Sequence, residues 1–596
     1  MKNKVNLKKV SDVVAEVLIE EKVSHVFAIS GGASLHLIHS LADNENIQYI
    51  CNHNEQAAAM AADGYSRVSG NIGVAITTSG PGATNLITGI CCSYYDSVPS
   101  LFITGQVSTF RMKGDTGVRQ IGFQETPIVD VVKSITKYAY TINHPSEIKY
   151  QIQKALHIAR SGRPGPVLID IPDDLQRVNI ESSLLKNFQP DIEQEKGKLT
   201  DTILNIMSMI KKSKRPVIIA GWGIHLSKTQ SDFIKFAEDL NLPIALTWGA
   251  ADLISFDHEL YIGTFGTHGN RHANFAVQNA DLIISLGSRL DTKSTGSPVN
   301  TFARKAKRIM VEIDINELNK FKKFDLKFDK LIHCDLKDFF DEVQKINIQK
   351  FFNKHDDWVN QINQWQEAFN AFDDRKNLST TQVNPYNFVD RISDNLKENS
   401  KVFIDTGCSI AWFMQSIRTP KTVRVFHDFN NTAMGWALPA SIGGYYADLG
   451  KSPIITIVGD GGFMMTSYEL ATAMHNNIPL KIFIMNNQGY SMIQQTQDQW
   501  LDSNYYASSK QGGISFPDFQ KLSKAYNFKY FELKDDSDLH LVEEIFAYPK
   551  ALICNVFIDN DFRVTPQVKF GRPNEDMGPL LPREMFNANM IIDPIK

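Results

Sequence analysis

The sequence predicts an α/β protein of three domains, each a parallel sheet flanked by helices. Short apolar runs that end in glycine or polar residues alternate with helical patterns along all 596 residues, as in repeated strand–helix units. A hydrophobic content of 43% supplies large buried cores and excludes a disordered chain. At about 150 residues per domain, this length suits three to four domains. We therefore expect three Rossmann-like domains.

The expected strands fall into three groups separated by two polar stretches. They are residues 23–29, 73–77, 100–104 and 167–171, then 216–220, 282–286 and 308–313, then 402–405, 455–458, 481–485 and 551–556. Residues 187–198 are charged and aperiodic, which is typical of a linker, and 346–384 combine a helical piece with a polar run. These breaks predict domains at 1–185, 200–345 and 380–560. The proline-rich tail, 561–596, is expected to lie across the surface or over an active site.

Composition excludes several classes of protein. Lysine and arginine number 62 against 66 acidic residues, both dispersed, so a nucleic-acid partner is not expected. The six cysteines show no CxxC spacing and no disulfide framework, which favours a reducing compartment. No apolar run approaches the roughly 20 residues of a membrane span. A soluble, cytoplasmic protein without a membrane partner is the expectation.

The most informative motif pairs Gly459-Asp460-Gly461 with Asn486-Asn487. Each cluster closes an apolar run, as where a buried parallel strand meets a ligand crevice. The intervening chain is long enough for one crossover helix between neighbouring strands. Carboxylate and amide oxygens suit Mg²⁺ that also holds a diphosphate, and glycine lets the backbone approach phosphates closely.

This pair resembles the diphosphate-and-metal motif of thiamine-diphosphate (ThDP) enzymes. The resemblance implies that Mg²⁺ is held by the side chains of Asp460 and Asn487 and by the backbone carbonyl of Gly489. It also implies a set of residues that bind the cofactor in this part of the chain: Gly459, Asp460, Gly461, Gly462, Asn487, Gly489 and Tyr490.

A second motif runs from Asn52 to Tyr65, where a strand end leads into an alanine-rich helix with Glu55 in its first turn. Taken alone, a glutamate at a helix N-terminus is favoured by the helix dipole. In a ThDP enzyme a carboxylate must hydrogen-bond the aminopyrimidine ring in a water-poor setting. The resemblance places that catalytic carboxylate at Glu55.

Further segments resemble the acetohydroxyacid synthase (acetolactate synthase) family over nearly the whole chain. They are residues 30–33 (SGGA), 77–85 (TTSGPGATN), 102–107 (FITGQV), 122–126 (GFQET) and 431–440 (NTAMGWALPA). The resemblance assigns the domains to pyrimidine binding, a central role and diphosphate binding. It directs the Gly32 backbone N–H toward the reacting carbonyl and places Phe123 and Gln124 in the substrate site.

The same resemblance names further cofactor contacts. Pro81, Asn85 and Thr432 lie by the cofactor. Met434 is implied to wedge between the two rings of ThDP, which brings the reacting groups together.

The central domain carries segments similar to those that hold a structural FAD in this family. They are residues 163–166, 220–223, 263–269, 287–291 and 312–314. Glycine-rich turns occur in any Rossmann-like domain, so FAD binding is left open.

Three positions depart from the family pattern. Asp173 stands where the family has lysine, which reverses the charge, and Lys293 replaces an arginine, which is not a conservative change. By a gapless count, Thr496 replaces the tryptophan that selects the acceptor, with Trp500 close by.

The leading functional prediction is a carboligase that decarboxylates pyruvate, or a related 2-oxo acid, and transfers the two-carbon unit to a second carbonyl. Acetyl transfer to a larger ketone such as a keto-sugar nucleotide and simple 2-oxo acid decarboxylation are the alternatives. A degenerate, non-catalytic subunit is disfavoured by the joint presence of Glu55, Asp460 and Asn487. Since Glu55 and Asp460 fall in different domains, the resemblance implies at least a homodimer.

Overall fold

Three six-stranded sheets, each entirely parallel, form the framework of the protein. The computed structural model describes residues 7–190, 199–369, 378 and 380–595. Most of the expected linker at 187–198 lies outside the described residues. So do residues 370–377 and 379 of the second expected connection, whose helical piece is the helix Asp356–Ala368.

The first and third sheets share one strand order, 2-1-3-4-6-5 when the strands of each are numbered along the chain. Across the first sheet the strands are Gln48–Cys51, His25–Ala28, Gly73–Thr77, Ser100–Gln106, Val167–Pro172 and Tyr138–Thr141. Across the third they are Arg424–Phe426, Lys401–Ile404, Ile454–Gly459, Lys481–Asn486, Leu552–Phe557 and Lys529–Leu533.

The central sheet has the order 3-2-1-4-5-6, which is that of the doubly wound dinucleotide-binding fold. Its strands are Tyr261–Thr264, Ile244–Leu246, Pro216–Ala220, Leu282–Leu286, Lys307–Glu312 and Lys330–His333. Two short antiparallel pairs lie outside the three sheets: Leu7–Lys9 with Asn179–Glu181, and Gln567–Val568 with Met577–Gly578.

Helices connect the strands and cover the sheets. In the first domain they are Val10–Glu20, Leu35–Ala42, Glu55–Ser69, Pro81–Thr84, Ile87–Asp96, Ile128–Val132, Ile148–Arg160 and Asp173–Gln176. In the central domain they are Thr200–Lys212, Gly223–Leu226, Gln230–Leu240, Arg271–Asn279, Thr292–Thr295, Ile315–Asn319 and Leu336–Gln344. In the third domain and tail they are Pro385–Asn395, Cys408–Ser416, Ala437–Asp448, Asp460–Thr466, Leu470–His475, Ser491–Trp500, Phe519–Ala525, Leu541–Ala547 and Arg583–Ala588.

The structure confirms the positions of the predicted strands. Their sequences are apolar, and the strands are buried on both faces. Gly73–Thr77, Pro216–Ala220 and Leu282–Leu286 are buried at every residue, as expected for parallel strands covered by helices. Elsewhere the ends differ by one or two residues; the strand expected at 23–29, for example, spans His25–Ala28. Such shifts are ordinary, since strand ends depend on local hydrogen bonds.

Domains one and three pack through two helices, Glu55–Ser69 and Ala437–Asp448. Glycines permit the contact: a Cβ on Gly64 would lie 2.2 Å from the carbonyl oxygen of Ala440, and one on Gly443 would lie 1.9 Å from that of Ala61. The backbones therefore approach more closely than any side chain would allow. This junction fixes the start of the Glu55 helix relative to the third domain.

The tail packs on the central domain. Arg271 donates to the carbonyl oxygens of Met577 and Pro579 at 3.1 and 3.0 Å, and the buried Glu575 accepts from Gln278 and pairs with Arg304 at 2.7 Å. Among the described residues, none of the helices combines the length and the apolar character needed to cross a bilayer.

Candidate active site

The Gly459-Asp460-Gly461 and Asn486-Asn487 motifs meet at one edge of the third sheet. Strands Ile454–Gly459 and Lys481–Asn486 are neighbours, with Gly459 opposite Met485. The Asp460 carboxylate accepts from the backbone N–H groups of Gly461, at 2.7 Å, and Gly489, at 3.3 Å. The carboxyl ends of parallel strands thus bring these two segments into contact.

The Asp460 carboxyl is almost fully buried, and burial raises its pKa to about 7 against the opposing effect of the backbone N–H groups. The ion pairs of the described residues give it no cationic partner, so a buried negative charge here calls for a cation. Asn487 donates its amide nitrogen to Ser491, which leaves its amide oxygen as an acceptor. This donor set of one carboxylate, one amide oxygen and backbone oxygens fits Mg²⁺.

Glycines let other side chains pack closely beside these ligands. A Cβ on Gly461 would lie 2.3 Å from the Tyr490 ring and 3.0 Å from Cε of Met434. One on Gly462 would lie 2.7 Å from Oδ1 of Asp405. Met434 therefore lies against the glycine turn at Gly461.

The segment that carries Met434 is held in an unusual backbone path. Thr432 has φ +54° and Gly435 has φ +86°, so both adopt the left-handed conformation. Gly435 donates to Asp405 at 3.1 Å and accepts from Thr466 at 2.8 Å. These bonds tie the segment to Asp405 and to the helix Asp460–Thr466.

Asp405 was missed by the sequence reasoning. It follows the strand Lys401–Ile404, so it lies at the same sheet edge as Asp460, and it accepts from the backbone of Gly435 and Ala437 at 3.1 and 3.0 Å. Burial raises its pKa to about 6. The edge rule that joined Asp460 to Asn487 could have found it.

A second group of predicted residues gathers at the carboxyl edge of the first sheet. Asn85 donates to the Glu55 carboxylate at 2.9 Å, and a Cβ on Gly82 would lie 3.4 Å from the other Glu55 oxygen. The helix begins at Glu55 with Asn54 as its cap. Just before it, Asn52 and the His53 backbone donate to Glu469, which anchors the helix start to the third domain.

The glycine loop and the predicted substrate residues lie around this group. Ala33 donates its backbone N–H to Thr78 at 3.3 Å, so the Gly32 turn packs against the loop that leads to Pro81. A Cβ on Gly80 would lie 2.9 Å from the backbone oxygen of Gln124, and Phe123 beside it is 85% exposed.

Within the described part of the chain, no hydrogen bond joins the Glu55 group to the Asp460 group. Nor do the described residues contain three or more His, Cys, Asp or Glu side chains grouped as metal ligands. The expected magnesium set has a single carboxylate, so the second finding does not conflict with it. The Glu55 group and the Asp460 group are therefore bonded separately in this chain.

Comparisons with known proteins agree with this geometry. Residues 8–131 match the N-terminal TPP binding domain of thiamine pyrophosphate enzymes, 203–342 their central domain and 405–556 their C-terminal TPP binding domain. Thiamine pyrophosphate is another name for ThDP. The acetolactate synthase large subunit of Lactococcus lactis is 32% identical over 570 residues, 95% of either chain. The chain belongs to the acetolactate synthase family of ThDP enzymes.

Other relatives extend across domains of life. A probable acetolactate synthase large subunit of Methanococcus aeolicus is 32% identical and covers 93% of this chain and 92% of its own. The chloroplastic acetolactate synthase 1 of Nicotiana tabacum is 32% identical over 96% of this chain and 85% of its own. This member of the acetolactate synthase family is a ThDP-dependent enzyme of the carboligase type, as the sequence predicted.

The central domain of this acetolactate synthase family member borders a cavity of about 1220 Å³, including its open mouth. The cavity lies where the strand order reverses, between Pro216–Ala220 and Leu282–Leu286, as ligand crevices do in this fold. A Cβ on Gly221 would lie 2.2 Å from the Gly287 carbonyl oxygen. Residues from all three domains line it, among them Arg163, Trp248, Lys293 and Phe429.

The structure shows the surroundings of two of the three positions that depart from the family pattern, Lys293 and Asp173. Lys293 lines the cavity with Nζ 5.2 Å from the centroid of the Trp248 ring. Burial lowers the pKa of its ammonium group. Asp173 instead accepts from Ser108, while Asp174 accepts from Thr109. The carboxylates of Asp173 and Asp174 thus hold the turn at 108–111 through hydrogen bonds.

The third departure, Thr496, lines a cleft of about 650 Å³ between the helix Ser491–Trp500, the central domain and the tail. Its lining includes the polar residues Thr267, His268, Ser297, Gln495, Thr496, Gln499, Gln567 and Lys569, but apolar atoms make up most of its exposed surface. Trp500 and Phe570, both largely exposed, meet edge to face at its rim with centroids 6.4 Å apart.

Proposed function

We propose that this enzyme uses ThDP and Mg²⁺ to decarboxylate pyruvate, or a related 2-oxo acid, and to transfer the two-carbon unit to a second carbonyl. The observation that carries the proposal is the buried Asp460 carboxylate, which faces the backbone of Gly489 beneath Met434. A buried anion next to an amide oxygen and a glycine turn is suited to a metal–diphosphate pair.

In this proposal Asp460 and Asn487 hold Mg²⁺ through side-chain oxygens and Gly489 through its carbonyl. Gly459, Gly461, Gly462 and Tyr490 border the diphosphate, and Thr432 and Met434 support the cofactor from the adjoining segment. When bound, ThDP supplies the electron sink that decarboxylation requires. Met434 contributes orientation and not acid–base chemistry.

Glu55 is the proposed proton-handling residue. Its carboxylate accepts from Asn85 and lies beside Gly82 at the start of the helix Glu55–Ser69. There it would hydrogen-bond the aminopyrimidine, with Pro81 and Asn85 bordering the ring. Gly32 would offer a backbone N–H to the reacting carbonyl, while Phe123 and Gln124 would contact substrate.

We propose further that two copies complete each site. The half-sites of Glu55 and Asp460 share no hydrogen bond in the described chain, and apolar side chains around the first are bare. Leu35, Phe110, Ile121 and Phe123 are between 55% and 85% exposed, and exposed apolar patches of this kind mark interaction surfaces. A homodimer or homotetramer would cover them and pair one chain's Glu55 with the other's Asp460.

The cavity in the central domain fits FAD in a structural role. The close glycine turn at Gly221 and Gly287 suits a pyrophosphate, the Trp248 and Phe429 side chains offer apolar surface, and Lys293 supplies a positive charge. Decarboxylation and ligation need no redox step. An absorbance spectrum of the purified protein tests occupancy: the visible bands of a bound flavin support FAD, and a spectrum without them contradicts it.

A larger acceptor, such as a keto-sugar nucleotide, is the second candidate, and the Thr496 cleft favours it. Amide and hydroxyl groups in the lining can hydrogen-bond to the hydroxyls of a sugar, while the apolar surface and the aromatic rings at the rim can stack on a flat ring. No carboxylate lines the cleft within the described residues, and Lys569 would attract an anionic group.

The deciding experiment is product analysis from pyruvate with and without added acceptors. The carboligase proposal expects 2-acetolactate from pyruvate alone, or a new adduct when a keto-sugar nucleotide is supplied. Release of acetaldehyde alone under every condition would instead establish a simple decarboxylase.

Because all six cysteines are thiols, we also propose that the enzyme works in a reducing, cytoplasmic setting.

A further inference from the structure

The segment from His427 to Ala437 carries Met434, yet domain one of the same chain holds much of it. Phe429 and Asn430 donate their backbone N–H groups to Asp96 at 3.0 and 3.1 Å, and the Asn430 side chain donates to Asp96 at 2.8 Å. The His427 carbonyl accepts from Arg67 at 2.9 Å. Domain one thus fixes the entry to the Met434 turn.

Arg67 is the centre of a buried cluster of charges. Its guanidinium bonds Asp63 at 2.7 Å and Asp96 at 2.9 Å, and it lies 5.0 Å over the Trp436 ring. Trp436 in turn donates its indole N–H to Asp63 at 2.9 Å. These side chains are almost entirely buried, so the bonds form in a low dielectric, where they are strong.

Asp428 links this cluster to the turn itself. Its carboxylate accepts from the backbone N–H of Ala433, directly before Met434, at 2.8 Å. It also accepts from the thiol of Cys92 at 3.2 Å. Burial raises the pKa of Asp428 and raises that of Asp96 to about 7. Three buried carboxylates around one arginine are costly to assemble and are not needed to fill a core.

We propose that Asp63, Arg67 and Asp96 of domain one, together with Asp428 of the third domain, are positioning residues that set Met434 against the cofactor. The inference rests on the proposed function, since it concerns the wedge residue of that site. The cluster touches neither Asp460 nor Glu55, so it would act through the backbone of the Met434 turn. Losing a positioning contact of this kind lowers the rate of the chemical step and leaves cofactor affinity largely intact.

The test compares Asp428→Asn with the wild-type enzyme in the presence of ThDP and Mg²⁺. Deuterium exchange at the thiazolium C2 carbon, followed by quenched-flow NMR, reports whether the bound cofactor is held in its reactive shape. We expect the exchange rate and kcat for pyruvate consumption to fall about tenfold or more. The Kd for ThDP and the KM for pyruvate should change less than about threefold.

Asp170→Asn is the matched control. Asp170 is another buried carboxyl with hydrogen-bond donors on three side chains, Thr104, Gln106 and Thr141, and it makes no contact with residues 427–437. Its loss should leave C2 exchange within about twofold of wild type, because it does not act on the Met434 turn. Cys92→Ala provides a milder variant that removes one bond to Asp428 without stranding a charge, and it should slow exchange about threefold.

The outcomes distinguish a failure of the proposed function from a failure of the positioning role. Wild-type protein that binds no ThDP, or exchanges no C2 proton, would overturn the proposed function itself. Wild-type exchange with unchanged rates in both Asp428→Asn and Cys92→Ala would overturn the positioning role alone. Equal slowing in Asp170→Asn would also overturn it, because the effect would then come from general destabilisation.

Discussion

Carboxyl groups of this enzyme have different roles because their surroundings differ. Asp460 accepts from backbone N–H groups, Asp428 accepts from the backbone of the Met434 turn, and Asp170 accepts from three neutral side chains in the first domain. Glu55 differs from all three because it lies at a helix N-terminus beside an open loop. Their surroundings, more than their residue type, set their chemistry.

Glu55→Gln is expected to lower the rate of pyruvate consumption by about 10²- to 10⁴-fold, because an amide cannot take part in proton transfer as a carboxylate does. The amide can still accept from Asn85, so ThDP binding should persist. Steady-state assays with a ThDP titration measure both quantities. Full activity in the variant would show that Glu55 has no part in the chemistry.

Asp170 predicts a pH dependence of stability. Burial raises its folded-state pKa to about 6, above the ordinary value of 3.8, so its contribution to stability is present below pH 4 and is lost as the pH rises through 6. The loss approaches about 3 kcal/mol at higher pH. Relative to wild type, the Tm of Asp170→Asn should therefore rise between pH 4 and pH 7. Thermal unfolding of the exposed variant Asp257→Asn should show no such trend.

At the scale of elements, the sites are built where strands end. Each half-site follows the carboxyl ends of strands in a sheet with the order 2-1-3-4-6-5, and the central cavity lies at the reversal of the order 3-2-1-4-5-6. Connections diverge at these points and leave a crevice. The helices then fix how the two outer domains meet.

Gly443→Ala tests that meeting of helices. The added methyl group would lie 1.9 Å from the Ala61 carbonyl oxygen, so the two helices must separate, at a cost of about 1–3 kcal/mol. The Tm should fall measurably in a thermal melt. Gly459→Ala makes the same chemical change where the nearest atom is 3.8 Å away and should leave the Tm unchanged; equal losses in both would contradict the close-contact explanation.

At the scale of the whole molecule, one chain carries both the Glu55 group and the Asp460 group, and no hydrogen bond joins the two among the described residues. Domain one meets domain three through the helices Glu55–Ser69 and Ala437–Asp448, and the tail packs on the central domain. The exposed apolar side chains around Phe123 support the proposal that a second copy completes the site.

Mixing two inactive variants tests the shared site. Glu55→Gln chains and Asp460→Ala chains, unfolded and refolded together in equal amounts, should recover about a quarter of wild-type activity. Half of the random dimers are mixed, and each of these has one intact site. Each variant refolded alone is the control. No recovery in mixtures shown by mass to contain mixed dimers would place each site within a single chain.

The sequence by itself determined the three parallel sheets and the pairing of Asp460 with Asn487. Both follow from local rules: buried parallel strands are continuous apolar runs, and polar residues after neighbouring strands meet at one edge. Motif resemblance added Glu55 and Met434. Asp405 also follows a strand at the same sheet edge, but it belongs to none of the motifs that resemble the family.

Only the tertiary structure decided the rest. Arg67 and Asp63 lie four positions apart on one helix, but their bonds to Asp96, His427 and Trp436 join residues 29 to 373 positions apart, and no periodicity or spacing encodes those partners. The same holds for the bond between Asn52 and Glu469, for the hydrogen bonds of Asp173 to the 108–111 turn and for the cleft at Thr496. Each depends on how whole domains pack, because a buried charge is defined by neighbours that the chain brings together only on folding.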